Sequence, residues 1–142
     1  MAWYDPRMRT TVDTDRLGDE IAELAAHVDA ATHRLLTLIR QFDEAGGLAD
    51  QGALSCAHWL SWRIGLDLRA AREHVRVARV LADLPLVGEA LHLRQVSYSK
   101  VRALTRVATP GTDETLLEMA RSSTASQLER ICRSYRRAMG RP

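Results

Sequence analysis

The chain has 142 residues, 46% hydrophobic and 27% charged, a balance that fits one globular domain and argues against a disordered or fibrous chain. No apolar run approaches the roughly 20 residues that span a bilayer, and Met1-Ala2-Trp3-Tyr4-Asp5-Pro6 lacks the charged-then-apolar plan of a secretory signal. Cys56 and Cys132 have no Cys-x-x-Cys partner, so the expectation is two free, buried thiols in a reducing cytoplasm.

The net charge of +2 hides a division between the two halves. Residues 1–50 carry five Arg against ten acids, and residues 51–142 carry fourteen Arg and one Lys against eight acids. The first part is therefore −5 and the second +7. An anionic partner would meet the second, and arginine suits bidentate phosphate recognition better than lysine does. The alternative is that the acidic N-terminal helix packs against the basic remainder.

The periodicity is helical from end to end. Asp13 or Thr14 is placed to cap a long helix, with residues 1–14 expected as a tail. Its apolar positions are Leu17, Ile21, Leu24, Val28, Ala31, Leu35, Leu38 and Phe42, spaced alternately by four and three residues, which is heptad spacing. Such a helix could form a homodimeric coiled coil through Leu17–Phe42. Ala25, Leu36 and Ile39 widen the stripe, which favours packing on the chain's own bundle. Gly46-Gly47 ends this helix. Ser55 caps a short helix from Cys56 to Ile64, whose Trp59 and Trp62 are expected as core anchors rather than base-stacking surfaces. Gly65 breaks it.

Asp67 is placed to cap the next helix, predicted to run to about Asp83 and to bury Leu68, Ala71, Val75, Ala78 and Leu81 or Ala82. Arg69, Arg72, Arg76 and Arg79 line its opposite face. Glu73, four residues from Arg69, and Asp83, four from Arg79, are the expected local partners. Pro85 suits the first turn of the following helix. Residues 84–108 then read as helix, tight turn and helix. Val87, Ala90 and Leu91 face inward, Ser97 caps the second helix, and Val101, Leu104 and Ala108 lie on its inner face. Tyr98, Ser99, Lys100, Arg102 and Arg106 would point outward or sideways. That is the pattern of a DNA-reading helix-turn-helix, and equally of a plain helical corner. Thr109-Pro110-Gly111 punctuates the chain before a helix near Thr112–Arg121. Thr124-x-x-Gln127 reads as a capping box opening a last helix with Leu128, Ile131, Cys132, Tyr135 and Met139 on its apolar face. The fold class expected is an all-α bundle of six or seven helices, a single domain over residues 15–138 with a short tail at 139–142.

No residues match a catalytic or metal-binding pattern. The five histidines form no i, i+4 pair, and Cys56-x-His58 supplies only two of zinc's four ligands. Phosphate-binding glycine loops and nucleophile elbows are missing. No catalytic residue, metal, cofactor, membrane or small-molecule substrate is expected. The basic surface is the substantive feature: the final 22 residues carry six Arg and one acid. Lys100, Arg102, Arg106, Arg121, Arg130, Arg133, Arg136 and Arg137 are the candidate nucleic-acid contacts, with DNA as the expected partner.

Several runs carry a family resemblance. These are Trp59-Leu60-Ser61-Trp62-Arg63-Ile64-Gly65-Leu66, Ala71-Arg72-Glu73-His74-Val75-Arg76-Val77-Ala78, Leu81-Ala82-Asp83-Leu84-Pro85, and Val96-Ser97-Tyr98-Ser99-Lys100-Val101 continuing to Ala108. With Ala125-x-Gln127-Leu128-Glu129-Arg130 they resemble the bacterial family called domain of unknown function 222, over roughly residues 15–138. Members typically carry this helical region ahead of a His-Asn-His (HNH) endonuclease domain, so the resemblance implies the non-catalytic, accessory part of such a protein. The family commonly has glycine near the turn where this chain has Arg94. No His-Asn-His motif follows before Pro142, which implies a truncated product, a fragment or a stand-alone copy of the accessory domain.

Overall fold

In the computed structural model residues 6–46 and 55–140 are described, with side chains from Asp13 onward. Among these residues there are seven helices and no strand, so the all-α expectation holds. They are α1 (Pro6–Glu44), α2 (Cys56–Ile64), α3 (Leu68–Leu81), α4 (Pro85–His92), α5 (Tyr98–Leu104), α6 (Asp113–Arg121) and α7 (Ala125–Ala138). None is long and apolar enough to cross a membrane.

Several helix ends fall where local residue chemistry places them. The Ser55 hydroxyl accepts the His58 N–H at 3.2 Å, and Ser97 accepts that of Lys100 at 3.3 Å. Thr124 and Gln127 close a reciprocal capping box at 3.1 and 2.9 Å. Gly46 and Gly65 end α1 and α2 in left-handed backbone, with φ of +71° and +74°. Gly47 lies outside the described residues.

Three expectations about helix ends are corrected. First, α1 begins at Pro6, so Asp13 and Thr14 lie inside a helix of 39 residues rather than at its cap. No Gly or Pro separates Pro6 from Asp13, and proline is at home in a first turn, so the helix extends upstream. Second, Asp67 precedes α3 but makes no side-chain cap bond. Its ψ of 140° falls about 20° short of the 160–166° shared by Ser55, Ser97 and Thr124. Third, α3 ends at Leu81, where the chain turns through Ala82 and Asp83 into Pro85.

The core joins all seven helices, with Leu36, Leu84, Leu91, Leu104 and Leu128 fully buried at its centre. α1 packs on α3 and α4, α2 on α3, and α5 on α7. The inward positions of α3, α4 and α5 are those the periodicity indicates, including Ala71, Val75, Ala78, Val87, Ala90, Leu91, Val101 and Leu104. On α1 the bundle takes Leu36 and Ile39, while the heptad stripe stays largely outside: Leu17, Ile21, Leu24, Val28 and Leu38 are exposed. The tryptophans also divide. Trp59 stacks on Phe42 with ring centroids 4.2 Å apart, but Trp62 is 72% exposed and anchors nothing. It sits near the end of a short helix whose buried side is already filled by Cys56, Ala57 and Leu60.

Candidate nucleic-acid interface

The basic side chains separate into structural and solvent-facing groups. Glu73 is the organising residue. Its carboxylate, only 15% exposed, accepts from Arg76 at 2.6 and 3.2 Å, from Arg102 at 3.3 Å and from Arg106 at 2.8 Å. Arg76 also donates to the Arg102 carbonyl at 3.1 Å. One carboxylate thus ties α3 to α5 and to the turn beyond it. These guanidinium groups, the hydrogen bond from Arg76 foremost, hold the Glu73 carboxyl down at about 2. The expected Arg69–Glu73 and Arg79–Asp83 pairs do not form. Arg79 instead makes a two-point bond to Asp43 of α1 at 2.9 and 3.0 Å, which lowers the Asp43 carboxyl. Tertiary neighbours offered better geometry than the i, i+4 partners.

The helix-turn-helix segment is a fixed corner. α4 ends in a Schellman turn: Gln95 N–H reaches the Ala90 carbonyl at 2.8 Å, and Arg94 N–H the Leu91 carbonyl at 3.1 Å. Arg94 occupies the left-handed position with φ +63°, so the tight turn forms without glycine. Its guanidinium lies 3.2 Å from His27 Nδ1 on α1. The start of α5 is partly covered, with Ser97 and Tyr98 half-buried and Ser99 exposed. Asp29 of α1 accepts the Tyr98 N–H at 3.0 Å, and the Tyr98 ring packs 5.0 Å from His74. A recognition helix needs its first outward residues free for base edges. Here Asp29 and the His74 ring take up the Tyr98 part of that end.

Lys100 and Arg121 also serve the fold. Lys100 Nζ donates to the Ala120 carbonyl at 2.7 Å, at the last turn of α6, and Arg121 donates to Gln95 Oε1 at 2.9 Å. The remaining candidates come together. A hollow of about 230 Å³ between α5 and α7 is lined by Arg102, Arg106, Arg133 and Arg136, with Ala103, Glu129 and Cys132. Arg130 and Arg137 are exposed on α7. At 3.6 residues per turn, Arg130, Arg133, Arg136 and Arg137 fall within roughly 120° of the α7 surface. A second depression, with Asp67, Arg69, Glu73, His74 and Tyr98, shares Arg102 and Arg106 and extends the surface onto α3. Sequence spacing identified the α7 arginines. It gave no sign of the Glu73 hub, because that hub joins residues about 30 positions apart.

Both cysteines are buried and free, and burial pushes both thiols above their usual range, away from the reactive thiolate. Among the described residues, no group of three or more His, Cys, Asp or Glu is placed to hold a metal ion.

These features define an all-helical domain with an arginine-lined hollow on its C-terminal side. Residues 16–140 match the sequence model of the family described as domain of unknown function (DUF222), and the chain belongs to that family. No curated protein and no solved structure matches it.

Proposed function

We propose that this chain is a non-catalytic accessory domain that holds nucleic acid by its phosphate backbone, in the hollow between α5 and α7. The observation that carries the reading is the convergence of Arg102, Arg106, Arg133 and Arg136 on one concavity, with Arg130 and Arg137 exposed on the same helix as the last two. Arg102 and Arg106 are oriented by Glu73, so part of the site is pre-set before a phosphate arrives. Backbone contact without base reading also fits the partly covered start of α5. An HNH endonuclease partner domain, which the family resemblance implies, would supply the chemistry. A domain of this kind would contribute non-specific affinity.

The test is fluorescence anisotropy with labelled duplex DNA, single-stranded DNA and RNA over a range of salt. Binding is expected to weaken linearly in log–log form as salt rises, with a slope of about −0.9 per phosphate neutralised on duplex DNA. Replacing Arg130, Arg133 and Arg137 by Ala should weaken every duplex alike and flatten the slope. Failure to bind any nucleic acid even at low salt overturns the proposal.

A further inference from the structure

The long helix carries a separate surface, independent of the basic hollow. Residues 13–25 of α1 are exposed on all sides, so this half of the helix projects beyond the bundle. Leu17 is 54% exposed, Ile21 68%, Leu24 66% and Val28 56%, and Leu38 further along the stripe is 44% exposed. These residues follow one another at heptad spacing, and an apolar row of this length left in water favours association. A projecting helix that no tertiary contact supports is itself marginal in water.

We infer that this stripe is the seam of an antiparallel homodimer, formed by two copies of α1. Side-chain shape, charge and sterics each argue for that occupant. In heptad terms Ile21 and Val28 fall at a, and Leu17 and Leu24 at d, so an antiparallel pair would set each β-branched side chain against a leucine of the other copy. The row flanking the d side reads Asp13, Glu20, His27, Arg34, acidic at one end with Arg34 at the other. The opposite flank reads Gly18, Ala25, Thr32 and carries no charge. A parallel pair would set the charged flank against the uncharged one. An antiparallel pair lays the flank against itself in reverse, so the acidic end of one copy lies against Arg34 of the other. The bundle also permits this arrangement. It packs on α1 through Leu36 and Ile39 near the C-terminal end, while residues 13–25 are exposed, so the Leu17–Leu24 part of the seam is unobstructed. Reversal places the two bundles at opposite ends of the shared helix pair.

Sedimentation of the whole chain at up to about 100 µM tests the inference. Twice the chain mass is expected. The Ile21→Asp, Leu24→Asp double variant should be monomeric, its affinity lowered by more than about a hundred-fold. Both positions are exposed in the monomer, so its circular dichroism should still show a folded bundle. Asp13→Lys with Glu20→Lys should weaken the dimer by roughly ten-fold, since lysines would then face Arg34 of the other copy. A monomer throughout, or a dimer insensitive to Ile21 and Leu24, overturns the seam. A dimer sensitive to those two residues but indifferent to the charge reversal overturns the antiparallel orientation.

Discussion

Replacing Glu73 by Gln removes one negative charge and keeps the shape of the side chain. In the native fold that charge faces Arg76, Arg102 and Arg106, and its carboxyl is lowered from 4.5 to about 2. A difference of about 2.5 pH units corresponds to about 3 kcal/mol. Arg102 and Arg106 are 49% and 44% exposed, and water screens their share. About 2 kcal/mol is the expected loss at neutral pH. The sign follows from the lowered native value: the stabilisation is complete above about 4.5 and disappears as pH falls through about 2. By about pH 3 more than half of it should be gone. Urea unfolding followed by circular dichroism should therefore show the variant about 2 kcal/mol weaker at pH 7, with the gap closing steadily below pH 4.5. A gap of the same size at pH 7 and pH 3 would refute the hub as an electrostatic device. The same variant should bind duplex DNA more tightly, because the charge freed on Arg102 and Arg106 outweighs the weaker orientation that the neutral Gln amide gives them.

Two further outcomes are expected. Arg94→Gly should raise the melting temperature by about 1–2 °C, because relief of left-handed strain slightly exceeds the added freedom of the unfolded chain. Arg94→Val should lower it, and a valine variant as stable as the glycine one would contradict the φ of +63°. His33, whose ring lies 5.1 Å from His92, has its basicity lowered by burial first and by His92 second. Its folded value is depressed, so the unfolded chain takes up protons first and stability should fall as pH drops below about 6.5. Ring titration by NMR should place His33 below that value, and His33→Gln should blunt the fall.

Much of the architecture is legible in the residues because it is local. Serine and threonine caps, left-handed glycines and apolar faces of period 3.6 depend on neighbours within a few positions, and Ser55, Ser97, Thr124, Gly65 and Leu128 behave accordingly. The misreadings were failures of the same locality. Glu73 and Arg79 sat beside plausible i, i+4 partners, yet the folded chain brought Arg106 and Asp43 to them with better geometry. Trp62 shares a helix with a stacked Trp59, but orientation around that helix leaves it in solvent. Of the candidate contacts, composition could not separate Lys100 and Arg121, bonded within the fold, from Arg133, which lines a hollow. That separation requires knowing which helices are neighbours.

Lys100 is the only lysine in the chain, so apart from the N-terminus the protein has a single primary amine. Its Nζ is committed to the Ala120 carbonyl and half-sheltered between α5 and α6. Acylating reagents therefore meet a side-chain amine that is protected while those helices stay together and becomes reactive when they part. The rate at which one site acquires one label becomes a direct clock for the opening of this corner, with no engineered probe and no competing lysine to subtract.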